Sequence, residues 1–141
     1  MNEFLERARH TLEEGEYTCV LCKGERLYHS CERGVKPLVQ WYESGCDLQG
    51  FCAADKVVGK GAAFLYLLLV VSAVYANVIS TPALELLQNK GVRVVCNTQT
   101  THIINRRGDG ICPFELAVMD TDSVADAYLA IRQKMKEMQI G

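Results

Sequence analysis

The longest uncharged stretch of the chain lies between Lys60 and Glu85, and it restricts the folds that the whole sequence can adopt. Residues 61–76 are almost entirely apolar, so this segment has to be buried. A membrane-spanning helix needs about 20 consecutive apolar residues. Here the run is interrupted by Ser72 and then by Asn77. A buried helix followed directly by a buried strand fits the pattern better, and we expect no membrane partner.

The composition is that of one globular domain covering residues 1–141. Hydrophobic residues make up 49% of the chain and charged residues 23%, which is enough apolar material for a core. The formal net charge is -2, so the chain lacks the basic surface that a phosphate backbone requires. We therefore expect no nucleic acid polymer as a partner.

The chain contains seven cysteines, an odd number, and its first ten residues are charged and amphipathic rather than like a signal peptide. This combination favours reduced thiols in the cytoplasm, most of them filling the core. Cys19 and Cys22 have the spacing of metal ligands, but they lie on a predicted strand, where alternation sends them to opposite faces. We expect neither a metal nor a cofactor.

Hydrophobic periodicity and turn residues predict alternating helices and strands. The predicted helices cover residues 3–14, a short segment from 36, 51–72, 80–91, a short segment from 112, and 123–138. The predicted strands cover residues 17–22, 26–30, 74–79, 92–96 and 100–105. The first two strands form a hairpin, and the strands at 74–79 and 92–96 form a parallel βαβ unit. The prediction is a three-layer α/β/α fold with a mixed sheet of about five strands.

The first candidate for chemistry is the acid–base pair Asp55-Lys56, near the start of the helix predicted at 51–72. Backbone N–H groups and the positive end of the helix dipole converge at such a place. Asp55 then either favours the helix end while Lys56 extends to solvent, or the pair is buried with altered proton affinities. The sequence leaves both interpretations open.

Two further groups follow later in the chain. Asn97, Thr98 and Thr101 come after the buried strand at 92–96, where open α/β sheets place their ligand crevice. An ordinary polar loop is the alternative. Cys112 precedes Pro113 at a predicted helix start, which can make a thiol reactive, although most free cysteines are structural. Glu115 in the same segment either stabilises the helix end or contacts a ligand.

Three segments and the order of elements carry a family resemblance. A hairpin is followed by a predicted helix opening with Cys-Ala-Ala-Asp, by a buried strand, and by Thr-Pro opening the next helix. The most telling segments are Glu32-Arg33-Gly34-Val35-Lys36-Pro37-Leu38, Ala54-Asp55-Lys56-Val57-Val58-Gly59-Lys60 and Gly110-Ile111-Cys112-Pro113-Phe114-Glu115. The chain resembles a bacterial family of uncharacterised proteins, a domain of unknown function within the cytidine deaminase-like superfamily. The resemblance implies the fold of that superfamily.

The zinc ligands of working deaminases have no full counterpart in this sequence. Those enzymes use His or Cys followed by Ala-Glu at the first helix, and Pro-Cys-x-x-Cys at the second. Here the acid after Cys52 falls at Asp55, and Ala83 and Leu86 stand where the two thiolates belong. One possible ligand out of three does not hold zinc, so we do not expect zinc-dependent deamination. The resemblance still implies a pocket where two helix N-termini meet, near Asp55 and Pro82.

Together these patterns predict a pocket for a small polar ligand, including one that resembles a nucleotide. Asp55 would act as acid or base, Lys56 would stabilise charge, and Cys112 would close one side. The other predicted ligand-binding residues are Cys52, Lys36, Pro82, Asn97, Thr98, Thr101 and Glu115. Whether a reaction takes place is left open. One alternative is a non-enzymatic homodimeric module that associates through the Trp41-Tyr42 region or a sheet edge, and the other is a thiol-redox sensor.

Overall fold

The computed structural model describes residues 2–139 and contains, over that range, six helices and five strands. The helices are α1 (Glu3–Glu14), α2 (Lys36–Glu43), α3 (Lys60–Leu69), α4 (Thr81–Asn89), α5 (Pro113–Ala117) and α6 (Val124–Glu137). The strands are β1 (Cys19–Lys23), β2 (Arg26–Ser30), β3 (Cys52–Val58), β4 (Ala73–Ser80) and β5 (Arg93–Thr100). The predicted hairpin and the predicted βαβ unit are both confirmed.

The five strands form one mixed sheet in the order β2-β1-β3-β4-β5. Strand β1 runs antiparallel to both β2 and β3, whereas β3, β4 and β5 run parallel to one another. The carboxyl ends of the three parallel strands therefore meet at one edge of the sheet, at Val58, Ser80 and Thr100. We call this edge the carboxyl edge. Strand β3 is the central strand.

Helices cover both faces of the sheet, which gives the predicted three layers. One face packs against α1, whose residues Leu5, Ala8 and Leu12 recur on one side of the helix and are buried. Asn2 caps this helix by accepting a hydrogen bond from the Leu5 N–H at 2.7 Å. The larger core lies on the other face, among residues contributed by α2, α3, α4, α5 and α6.

The long helix predicted from Phe51 to Ser72 is wrong. Residues 52–58 form the central strand, and the helix in this region begins only at Lys60, after the extended residue Gly59. Strand β3 pairs with a neighbour on each side, and helices cover both faces of the sheet, so Cys52, Ala53 and Ala54 are all buried although they alternate between the faces. The first half of this strand, Cys52-Ala53-Ala54, is therefore uniformly apolar and lacks the alternation that identifies a strand from sequence.

The strand predicted at 100–105 is also wrong. Strand β5 continues to Thr100, and in the segment that follows only Ile104 makes a bridge, to Ile111. Asn97 and Thr98 therefore lie within β5 rather than in a loop beyond it. The uncharged stretch is divided between α3 and β4, and no helix over residues 2–139 is long and apolar enough to cross a membrane.

Candidate functional site

A short chain of hydrogen bonds joins the central strand to α3. Asp55 on β3 accepts a hydrogen bond at its Oδ2 from the Tyr66 hydroxyl at 2.6 Å. The Tyr66 oxygen also lies 3.0 Å from the Cys19 sulfur, and both side chains are buried. Cys19 pairs directly with Asp55 in the β1–β3 register. We call Asp55, Tyr66 and Cys19 the Asp55 cluster.

Burial controls the proton affinities in the Asp55 cluster. Loss of solvation raises the pKa of Asp55 to about 7, against the opposing effect of hydrogen bonds from Tyr66 and from the backbone at Val57 and Lys56. Burial, reinforced by the negative charge on Asp55, also raises the pKa values of Tyr66 and Cys19 well above their ordinary values. Near neutral pH, Asp55 therefore exchanges a proton while Tyr66 and Cys19 keep theirs.

Lys56 does not share the surroundings of Asp55. The two residues are consecutive on a strand, so their side chains extend to opposite faces, and Lys56 is exposed. The Lys56 backbone N–H donates to the Thr18 carbonyl at 3.1 Å. The predicted acid–base pair at a helix N-terminus is therefore corrected: neither residue lies at a helix end, and only Asp55 faces α3.

A second carboxylate, that of Glu115, is fully buried at the carboxyl edge. Its Oε2 accepts from the Lys60 backbone N–H at 2.7 Å and from the Ser80 hydroxyl, and its Oε1 accepts from the Ile103 backbone N–H at 2.7 Å. The Ser80 hydroxyl oxygen also accepts from the Ala83 N–H at 3.3 Å and so caps α4. One side chain thus supports the starts of α3 and α4 and the segment after β5. These contacts define the Glu115 cluster.

The Glu115 cluster occupies the place where the resemblance implied a ligand pocket. The N-termini of α3 and α4 do converge, but the negative group between them belongs to the chain itself. Gly59 permits this close approach, because a Cβ at that position would lie 3.3 Å from Oε2 of Glu115. His102 approaches Oε1 to 3.7 Å through its Nδ1, a buried atom without a hydrogen-bond partner in residues 2–139.

Three of the other predicted ligand-binding residues lie away from both clusters. Cys52 is buried on the face covered by α1, with its sulfur 3.5 Å from Oδ1 of Asn2. Lys36 begins α2 and forms an ion pair with Glu32 at 3.3 Å. Asn97 donates to the Tyr75 hydroxyl at 2.8 Å, on the same face as α1. The structure does not bring these residues together.

The remaining predicted residues are closer to the carboxyl edge. Pro82 lies in the first turn of α4, and Thr101 is exposed just after β5. Thr98 is an exposed residue within β5. Cys112 is partly buried and precedes α5, as predicted, but its side chain makes no cap hydrogen bond. Of the predicted set, only Glu115 is joined to the carboxyl-edge contacts described above.

Tyr66 and Ser80, which belong to these clusters, were not predicted as site residues from the sequence. Tyr66 appeared as one apolar residue in a hydrophobic run, and its partner Asp55 is eleven positions away. Ser80 was predicted only as the first residue of the helix at 80–91, and its bond to Glu115 spans 35 positions. Cys19 and Cys22 face different core clusters, as alternation predicted. The described residues contain no group of three or more side chains suited to holding a metal ion.

The fold and these clusters define a five-stranded mixed α/β domain with a titratable carboxyl group on its central strand. The chain belongs to the DUF1893 family, a domain of unknown function, whose profile matches residues 7–135. It is similar to the crystal structure of a DUF1893 family protein from Thermotoga maritima, TM1506, with 27% identity and a TM-score of 0.85 over 95% of this chain and 92% of that one. No curated protein matches the chain.

Proposed function

We propose that this domain binds a small polar ligand at the Asp55 cluster and that Asp55 exchanges a proton with it. One observation carries the proposal: Asp55, a partly exposed residue of the central strand, accepts a hydrogen bond from the buried Tyr66 hydroxyl at 2.6 Å, and burial raises the pKa of its carboxyl group to about 7. General acid–base groups work best when their pKa lies near the working pH. Most surface aspartates are ionised at neutral pH and cannot serve as acids there.

The contrast with Glu115 supports the choice of Asp55. Both oxygens of Glu115 accept hydrogen bonds, from three donors in all, and its side chain is inaccessible to solvent. These bonds hold elements of the fold together, which is a structural role. Asp55 is partly exposed, and its side-chain partner is a single hydroxyl group. We therefore assign proton exchange with the ligand to Asp55 and stabilisation of the fold to Glu115.

The proposed ligand class includes molecules that resemble nucleotides. Such ligands bind outside the carboxyl ends of parallel strands in open α/β sheets, and Asp55 precedes the carboxyl end of β3 by three residues. Kinship with the cytidine deaminase-like superfamily is part of the same proposal, without zinc chemistry. Lys56, Cys112, Pro82, Thr98 and Thr101 stay predictions as ligand contacts.

The test is a carbon-detected NMR titration of the Asp55 carboxyl group, followed by a screen of small polar compounds that includes nucleosides and nucleotides. We expect a titration midpoint near 7 and ligand-dependent shifts around Tyr66 that Asp55→Asn abolishes. Asp122→Asn, at an exposed position before α6, is the matched control and should leave both results unchanged. A midpoint near 4 would remove the basis of the proposal.

The two alternative functions stay predictions. For the homodimeric module, Tyr42 is exposed, whereas Trp41 is partly covered and packs edge-on against Tyr28 with ring centres 6.4 Å apart. Sedimentation velocity would test it, since a monomer at high concentration contradicts this alternative. For the thiol sensor, burial raises the pKa of Cys19, the thiol within the Asp55 cluster. Fast alkylation of any one cysteine at neutral pH would favour that alternative.

A further inference from the structure

The hydrogen-bond donors that reach the Asp55 carboxyl group are all neutral. They are the Tyr66 hydroxyl at 2.6 Å and the backbone N–H of Val57 at 3.2 Å, with a further contribution from the Lys56 backbone. Over residues 2–139, no lysine, arginine or histidine side chain forms a salt bridge with Asp55. A buried carboxylate is ordinarily paired with a cation. Over residues 2–139 no side-chain cation neutralises this carboxyl group, and its raised pKa means that a proton does so instead.

The Asp55 carboxyl group also has unused acceptor capacity. An ionised carboxylate offers about four lone-pair sites on its two oxygens. Tyr66 uses one site on Oδ2, and the Val57 N–H uses one on Oδ1. Even with the Lys56 backbone as a third donor, an acceptor site remains. The existing hydrogen bonds of Asp55 therefore leave one acceptor site for a further N–H donor.

The surroundings of this carboxyl group favour a positive ligand over a negative or a neutral one. Tyr66 from α3 and Cys19 from β1 are the titratable groups in its hydrogen-bonded chain, and both stay uncharged near neutral pH. The residue paired with Asp55 on β4 is Ala76, and the charge of the adjacent Lys56 lies on the opposite face. A bound cation would therefore interact with the single negative charge of the ionised Asp55 carboxylate. The attraction between the two charges is stronger at this poorly solvated position than in water.

We propose that the Asp55 cluster binds a small organic cation bearing an amine, amidine or guanidine nitrogen, which takes the place of the proton on Asp55. The inference rests on the proposed function and names its ligand class. The balance is simple: the protonated carboxyl group and the cation give a carboxylate–cation pair, and one proton passes to water. The cation keeps its own protons and donates an N–H to the carboxylate.

The probe for the test is methylguanidinium chloride, added to the full chain while the Asp55 carboxyl carbon is titrated by NMR. We expect a saturable fall of the Asp55 midpoint by about one pH unit, which is a tenfold preference of the cation for the ionised form. Methylurea has nearly the same shape without the charge and should leave the midpoint unchanged, as should sodium chloride at equal ionic strength. An equal shift with either control would overturn the inference.

Variants and calorimetry complete the test. Asp55→Asn should lose the saturable response of neighbouring signals, whereas Asp122→Asn should keep it. Calorimetry at pH 6 in two buffers of different ionisation enthalpy should show about 0.4 proton released per cation bound, because a midpoint that falls from about 7 to about 6 takes Asp55 from about nine-tenths to about one-half protonated at that pH. A midpoint near 7 that does not respond to methylguanidinium refutes this inference alone. A midpoint near 4 in the free protein refutes the proposed function.

Discussion

Two acidic side chains, Asp55 and Glu115, are removed from water in different ways. Glu115 is fully enclosed, and three donors from α3, β4 and the segment after β5 bind its oxygens. Asp55 keeps partial exposure, and burial raises its pKa to about 7 although Tyr66 donates to it. Two side chains with the same functional group thus have different roles: Glu115 holds elements of the fold together, and Asp55 exchanges a proton.

The two carboxyl groups differ in the number and kind of their hydrogen-bond donors as well as in the extent of their burial. Hydrogen-bond donors compensate a carboxylate for the water that it loses on burial. Where the donors are too few to do so, the pKa of the carboxyl group rises. Sequence alone places both residues in mostly apolar segments, each five positions after a glycine, and gives no measure of their donors. Three variants test this comparison and are expected to have decreasing effects on stability: Glu115→Ala, Asp55→Asn and Tyr66→Phe.

Removing the Glu115 carboxylate is expected to cost the most stability. Glu115→Ala leaves the Lys60 N–H, the Ser80 hydroxyl and the Ile103 N–H without their acceptor. We expect the free energy of unfolding in urea to fall by about 3–5 kcal/mol, because buried donors left unpaired are costly. Glu85→Ala, at an exposed position on α4, is the control and should change little. A loss below about 1 kcal/mol would contradict the structural role.

Replacing Asp55 with asparagine is expected to stabilise the protein at alkaline pH. The pKa of Asp55 rises on folding from 3.8 to about 7, so the folded state binds its proton more tightly than the unfolded state. The wild-type protein therefore loses stability as the pH rises from about 4 to about 7. The rise in pKa corresponds to at most about 4 kcal/mol. Since Asp55 keeps partial exposure, we expect Asp55→Asn to be more stable by about 2–3 kcal/mol at pH 8.

Urea unfolding at pH 4 and pH 8 measures this difference. The advantage of Asp55→Asn should vanish near pH 4, where the wild-type carboxyl group is protonated in the folded state. Asp122→Asn should show no such pH dependence. Equal stability of Asp55→Asn and the wild-type protein at both pH values would mean that Asp55 is well solvated.

Removing the Tyr66 hydroxyl is expected to have the smallest effect on stability and a specific effect on Asp55. The Tyr66 hydrogen bond lowers the pKa of Asp55, so Tyr66→Phe should raise the Asp55 midpoint by about one pH unit. NMR of the carboxyl carbon measures it. Tyr128→Phe, which removes a hydroxyl bonded to Glu43, should leave the Asp55 midpoint unchanged. A lowered midpoint in Tyr66→Phe would show that the hydroxyl does not stabilise the ionised form.

Much of the architecture was predictable because local patterns agree with the final structure. The buried positions of α1, the turn at Gly24 between β1 and β2, and the Ser80 cap before Pro82 all follow from spacing and residue type. The boundary between β3 and α3 was missed, since small and apolar residues continue across it. Gly59 is the one local signal there, as glycine is an acceptable helix cap.

The environments of the two acids were beyond the reach of sequence. Asp55 and Glu115 were selected by residue type, and both were placed near predicted helix starts with a structural and a functional interpretation left open. The donors that distinguish them come from Tyr66, Ser80 and Ile103, which are between 11 and 35 positions away from their acceptors. Such contacts depend on how the layers pack, and no periodicity or turn motif within one element records them.

The bond between Glu115 and the start of α3 spans 55 positions, so the first turn of that helix depends on a late part of the chain. A shortened fragment that stops before Pro113 would contain every strand and still lack the acceptor that its Lys60 and Ile103 N–H groups need. We expect such fragments to be recovered as aggregates or degraded rather than as a smaller working unit. Chain ends, split sites and fusion points are therefore best placed outside residues 59–115.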